Sequence, residues 1–186
     1  MGTDSIEYER MGYDVRLIGS SIGVQNYHPP ENTYGIIANP PCTQFSFAKS
    51  TGKPRDMQEG MMLVAECLRI VWESQYKLKT DYAKTTSLKF WVLENPKGLL
   101  QMFLGVPVFE YHPWEFGSNY KKATQLWGNF KIPEKIYTKC EDVMTQEEII
   151  QCKTNSRKLP THKNKKDNRR SICSPEFAEA FFKANR

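Results

Sequence analysis

A short β-branched run that stops at a pair of prolines is the feature that most constrains how this chain can fold. Residues 34–38 are apolar and favour a strand, and Asn39-Pro40-Pro41 follows them directly. Proline donates no ladder hydrogen bond and pushes the preceding residue out of helical backbone, so the strand must end there. We therefore expect Cys42 on a stiff turn at the carboxyl end of a strand, which is where open α/β sheets bind ligands.

A second apolar run ends in the same manner. Residues 88–93 favour a strand and lead into Glu94-Asn95-Pro96. A thiol and a carboxyl group would then each follow the end of an apolar strand. This arrangement predicts that Cys42 and Glu94 belong to one active site.

Helix and strand patterns alternate along most of the chain. Strands are expected at residues 14–18, 34–38, 88–93 and 106–111, and short helices at 5–11 and 98–103. The clearest helix covers residues 57–75, where Met61, Val64, Leu68 and Val71 recur at helical spacing. Alternation of this kind predicts an α/β fold with a mostly parallel sheet and helices on both faces.

The charge distribution separates the end of the chain from the rest. Residues 153–170 hold eight Lys or Arg and one Asp, which is typical of a loop or a disordered basic segment. A final helix is expected at residues 175–184, with Ser174 as its N-cap. We therefore predict a catalytic domain over 1–137, a partly disordered basic connector over 138–173, and a C-terminal helix over 174–186 that packs back on the domain.

Composition excludes several classes of protein. No run approaches the ~20 apolar residues of a membrane span, and no signal-peptide pattern is present. The five cysteines include no Cys-x-x-Cys pair, which favours reduced thiols inside a cell and argues against a disulfide framework. Their spacing with His162 matches no common zinc pattern, so we expect no metal. The net charge of +5 favours a polyanionic partner.

Four segments of the chain resemble those of DNA cytosine-5 methyltransferases. Pro40-Pro41-Cys42 with Phe45-Ser46, followed by Glu94-Asn95, is similar to the family's Pro-Cys-Gln and Glu-Asn-Val motifs. Here Gln44 stands one place late and Pro96 replaces the valine. Residues 116–127 resemble the segment that reads Tyr-x-Lys-x-Thr-x-Leu-Trp in the small phage-type branch, and residues 174–182 resemble the family's last helix.

The resemblance implies a Rossmann-like methyltransferase sheet whose first strand is missing or incomplete in this sequence. It also implies that Cys42 is the nucleophile, that Glu94 contacts the ring N3 of cytosine, and that Asn95 fixes the loop. Lys122 would assist catalysis by its charge. The reaction it implies is methyl transfer from S-adenosylmethionine to C5 of cytosine in DNA, in the cytoplasm of a bacterial or phage-infected cell.

The resemblance further assigns binding residues. Positions expected to hold S-adenosylmethionine are Gly2, Thr3, Ser20, Ser21, Asn39 and Pro40, although the two serines stand where the family carries an acid for the ribose. Positions expected to contact DNA are Lys121, Lys163, Lys165, Lys166, Arg169 and Arg170. Phosphate contacts of this kind give affinity without reading sequence.

Two alternatives remain open at the level of sequence. The chain would be a truncated or degenerate remnant that binds nucleic acid without catalysis, or a cytosine methyltransferase that acts on RNA. For single residues the plainer interpretations are a buried, inert Cys42 and a solvated pair at Lys121 and Lys122.

Overall fold

The centre of the fold is a four-stranded sheet. The structure, a computed structural model, describes residues 3–19, 23–47, 53–76, 87–154 and 173–186. Its strands are β1 (Gly35–Ala38), β2 (Phe90–Pro96), β3 (Phe109–Tyr111) and β4 (Thr124–Asn129), in the order β1-β2-β4-β3. β1 and β2 are parallel, whereas β4 runs antiparallel to both of its neighbours.

The prediction of an α/β fold is confirmed, but the prediction of a mostly parallel sheet is wrong for the described residues. A parallel neighbour requires a long crossover, which is usually a helix. The connection from β3 to β4 holds only the short 3-10 helix Pro113–Phe116. β4 therefore returns antiparallel and lies between β2 and β3.

A parallel βαβ unit places the expected site. Helix α2 (Met57–Tyr76) connects β1 to β2, close to the predicted helix at 57–75. The register aligns Ala38, the last residue of β1, with Leu93 of β2, so the residues that follow Ala38 and Leu93 lie side by side. The Pro-Pro turn and the Glu-Asn-Pro segment are neighbours for this reason.

Helices cover both faces of the sheet, as predicted. One face packs against α1 (Ile6–Arg10) and α5 (Pro175–Asn185), in a core that includes Tyr8, Phe90, Val92, Leu126, Phe177 and Phe181. The other face packs against α2, in a core that includes Phe45, Val64, Leu93, Leu100 and Trp127. Val92 lies in the first core and its neighbour Leu93 in the second, because successive side chains of a strand point to opposite faces of the sheet.

Several local predictions need correction. Residues 14–18 do not form a strand; the segment contributes Val15 to the core beside α1 but has no ladder partner among the described residues. β2 does not end at residue 93, because the antiparallel ladder with β4 continues through Pro96. Helix α3 (Gln101–Leu104) and β3 both begin about three residues later than the sequence predicts.

Among the described residues of the C-terminal part, an α-helix forms that the sequence did not predict. α4 (Gln146–Thr154) lies within the proposed basic connector, and residues 155–172 lie outside the described part. In α5 the Ser174 side chain accepts a hydrogen bond from the Phe177 amide at 3.2 Å, which confirms the predicted N-cap. No helix in the described ranges has the length and apolar character needed to cross a membrane.

Candidate functional site

Cys42 lies on a short turn that follows β1. Pro41 has extended backbone, and a 3-10 helix then covers Cys42–Gln44. The Cys42 carbonyl accepts hydrogen bonds from the amides of Phe45 at 3.0 Å and Ser46 at 2.8 Å. Phe45 is fully buried, so it anchors the turn to the core while Cys42 stays partly exposed. We call residues 40–46 the Cys42 turn.

Strand β2 and the residues after it hold the Cys42 turn from one side. The Asn95 side-chain amide is fully buried and donates to the Pro40 carbonyl at 3.0 Å. Beyond it, the Leu99 amide donates to the Phe45 carbonyl at 2.9 Å, and Ser46 forms a bridge with Gly98. Two motifs about fifty residues apart in the sequence thus form one unit. Asn95 has no exposed surface, so its side chain contacts the Cys42 turn and not solvent.

Glu94 points to the opposite face of the sheet from Asn95 and pairs with Lys122. Lys122 Nζ donates to Glu94 Oε1 at 3.2 Å, with side chains 17% and 22% exposed. The Asn39 side-chain amide donates to the carboxylate of Asp4 near the same place. The result is a set of charged and polar groups beside the Cys42 turn, in which Glu94, Lys122 and Asp4 are half-buried and Asn39 is exposed.

The charges in this set shift the pKa of each functional group. Burial raises the pKa of Cys42, the negative charge of Glu94 raises it further, and Lys122 lowers it. Burial also raises the pKa of Glu94, again opposed by Lys122, while Asp4 adds to the increase. Glu94 therefore holds a proton more readily than an ordinary glutamate. Protonation of Glu94 would remove a negative charge that disfavours the Cys42 thiolate.

A small cavity lies next to Glu94 and Lys122. Its volume is about 50 Å³, and its lining joins polar groups of Asp4, Asn39 and Cys173 to the apolar side chains of Val92 and Phe181. Sites for drug-sized ligands usually measure ~300–1,000 Å³. As it stands, the cavity is far too small for S-adenosylmethionine.

Three of the predicted donor-binding residues, Thr3, Asn39 and Pro40, lie in the described part of the chain. The side chain of Asn39 is engaged by Asp4, and the carbonyl of Pro40 is engaged by Asn95. Thr3 lies in the 3-10 helix Thr3–Ser5. Gly2, Ser20 and Ser21 lie outside the described residues, as do all the predicted DNA contacts except Lys121, which is partly exposed next to Lys122.

Residues that sequence reasoning missed also shape the site. Asp4 and Cys173 come from opposite ends of the chain and both line the cavity. Gly98 permits close approach, because a Cβ atom there would lie 2.4 Å from the Phe45 carbonyl oxygen. The Asn-Pro-Lys-Gly sequence was the available signal for a tight contact at Gly98, whereas no local pattern marks Asp4 or Cys173.

Comparisons with known proteins do not assign the chain. No family model matches the sequence, and no curated protein matches it.

Within the described ranges, no three His, Cys, Asp or Glu side chains lie close enough together to hold a metal ion.

Proposed function

We propose that the chain carries the thiol and carboxyl chemistry of a cytosine C5 methyltransferase, with DNA as substrate and S-adenosylmethionine as the methyl source. The observation that supports this most is the contact between Asn95 and the Pro40 carbonyl. It joins the Cys42 turn to the strand that presents Glu94 beside Lys122. The resemblance noted in the sequence assigns the same residues to the same roles.

The thiol supplies the nucleophile. In its thiolate form, Cys42 would add to C6 of cytosine, and the electrons of the C5–C6 double bond would move through C4 to N3. Cysteine suits this step because its thiolate is intrinsically strong as a nucleophile. The positive charge of Lys122 opposes the increase that burial and Glu94 cause in the pKa of Cys42, and it would favour the thiolate.

Glu94 supplies the proton that the ring nitrogen needs. As the thiolate adds, N3 would take a proton from the Glu94 carboxyl group, which leaves an enamine with a nucleophilic C5. A glutamate whose pKa is raised by burial suits an acid role near neutral pH. C5 would then take up an electrophile, which is the donor's methyl group in the proposed reaction. Loss of the original C5 proton to water and elimination of the thiolate would restore the C5–C6 double bond, and the proton on N3 would return to Glu94.

Methyl transfer to DNA tests this proposal. The wild type should transfer a tritiated methyl group from S-adenosylmethionine to cytosine-rich duplex DNA, and Cys42→Ser should abolish transfer because a hydroxyl is not ionised at neutral pH. Cys140→Ser is a matched control, since Cys140 is also partly exposed but lies outside the site. Equal activity of Cys42→Ser and the control would refute the covalent role. Single-stranded RNA in parallel separates the two nucleic-acid substrates.

A second candidate is a protein that binds nucleic acid without transferring methyl groups. The engaged side chain of Asn39 and the small cavity favour it, because both argue against a ready site for the donor. Calorimetric titration with S-adenosylhomocysteine distinguishes the two. Micromolar binding supports the enzyme, and absence of binding at millimolar ligand, with DNA binding retained, supports the second candidate.

A further inference from the structure

Arg55 holds the Cys42 turn from the side opposite to Asn95. It lies just before α2, and its guanidinium donates from Nη1 to the Gln44 carbonyl at 2.7 Å and from Nη2 to the Ser46 carbonyl at 2.9 Å. Both carbonyls belong to the turn that presents the thiol. A guanidinium donates two hydrogen bonds from a rigid planar fork, so it fixes direction as well as distance.

The start of α2 is attached to the same turn by further contacts. The Gln44 side-chain oxygen accepts from the Asp56 amide at 3.0 Å, and its nitrogen donates to Glu59 at 3.0 Å. Gly60 allows the helix to approach, since a Cβ atom there would lie 2.9 Å from the Phe45 ring. The Cys42 turn is therefore enclosed between β2 on one side and the start of α2 on the other.

We propose that Arg55 is a positioning residue for the Cys42 nucleophile. Its two hydrogen bonds keep the turn in one conformation, which sets both the direction of the thiol and its partial burial. The part of this proposal that concerns catalysis rests on the proposed function. The part that concerns the conformation and burial of Cys42 does not.

The matched control is Arg69, in the helix α2 that Arg55 precedes. Its guanidinium also holds a loop, by donating to the carbonyls of Val24 at 3.0 Å and Tyr27 at 2.9 Å. Arg55→Gln and Arg69→Gln each remove a cation that ties a loop to this part of the chain. Of these two variants, only Arg55→Gln removes hydrogen bonds to the Cys42 turn.

The first measurement is alkylation of Cys42 by iodoacetamide across a pH series, followed by peptide mass spectrometry. Burial is the main cause that raises the pKa of this thiol. Release of the turn should therefore move the alkylation profile of Arg55→Gln to lower pH and increase the rate at neutral pH. The profile of Arg69→Gln should match the wild type. Identical profiles for Arg55→Gln and the wild type would overturn the proposal.

The second measurement is cytosine chemistry on the same variants. Misplacement of a reacting group by about 1 Å can cost roughly 100-fold in rate. Release of tritium to water from DNA carrying [5-³H]cytosine should accordingly fall by ~10- to 100-fold in Arg55→Gln, even though its thiol alkylates faster. A role in stability alone would change neither rate in a folded protein, and such a result would also overturn the proposal.

Two further outcomes are decisive. If circular dichroism shows that Arg55→Gln is unfolded, Arg55→Lys takes its place, because a lysine keeps the charge but lacks the planar fork that spans both carbonyls. Its alkylation profile should lie between those of the wild type and a released turn, and a wild-type profile would contradict the role of the fork. If the wild type itself releases no tritium, the proposed function fails, while the alkylation series still tests the position of Cys42.

Discussion

Gly98 should be indispensable to the contact between β2 and the Cys42 turn. In Gly98→Ala, the added Cβ would lie 2.4 Å from the Phe45 carbonyl oxygen and 3.1 Å from its carbonyl carbon, whereas ordinary contacts lie at 3.4–4 Å. The Phe45 backbone must then move by about 1 Å. Overpacking of this kind costs ~1–3 kcal/mol, and loss of the hydrogen bond from Leu99 to Phe45 adds ~1 kcal/mol.

The expected loss in the free energy of unfolding is ~2–4 kcal/mol, which corresponds to a fall in Tm of ~4–16 °C for a chain of this size. Urea denaturation and a thermal melt measure it. Gly19→Ala is the control, because a Cβ there meets nothing within 4 Å and the backbone is not left-handed; its stability should stay equal or rise by up to ~1 kcal/mol. If Gly98→Ala unfolds within ~0.5 kcal/mol of the wild type, the close packing of the turn against β2 is refuted.

Three other predictions concern charge. Burial raises the pKa of Glu94, so the wild type loses free energy of unfolding as pH rises through that pKa. Glu94→Gln has no such group to titrate. The free energy of unfolding of Glu94→Gln, measured relative to the wild type, should therefore rise with pH. The hydrogen bond from Lys97 lowers the pKa of Glu110 below its usual 4.5, so that group contributes stability which is lost as pH falls through the lowered pKa. Glu110→Gln should therefore show the opposite trend in urea titrations that extend from about pH 3 to 8. If the relative stabilities of Glu94→Gln and Glu110→Gln change with pH in the same direction, the claim that burial raises the pKa of Glu94 is contradicted. Charge reversal in the basic segment should weaken binding to all DNA sequences alike and reduce its salt dependence; a Kd that does not change with salt would exclude the segment as a DNA contact. The residues to reverse are Lys163, Lys165, Lys166, Arg169 and Arg170.

Local rules predicted the parts of the fold that depend on local residues. Proline fixes its own φ and restricts the residue before it, so the end of β1 could be placed from the sequence. The apolar spacing of α2 and the Ser174 cap of α5 are local signals of the same kind. Placement of Cys42 on a stiff turn next to the Glu94 strand followed from these rules.

Long-range features could not be predicted in this way. The reversed strand β4 depends on the connection after β3, and the alternation of helices and strands does not record its direction. The extension of β2 through Pro96 likewise requires the β4 partner. Two contacts of charged side chains also escaped prediction. Asp4 contacts the side chain of Asn39, and Arg55 contacts backbone carbonyls of the Cys42 turn. Contacts of this kind leave no periodic pattern in the sequence.

The most direct test of the central claim is exchange of the cytosine C5 hydrogen without any methyl donor. Addition of Cys42 at C6 makes C5 an enamine carbon that takes a proton from water and, on elimination of the thiolate, releases its own hydrogen. Wild-type protein should release tritium from DNA carrying [5-³H]cytosine, Cys42→Ser should release none, and Glu94→Gln should be strongly reduced. Cys140→Ser should behave as wild type. Wild-type protein that binds this DNA but releases no tritium, or Cys42→Ser that releases it at the wild-type rate, would contradict the assignment of Cys42 and Glu94 as nucleophile and acid.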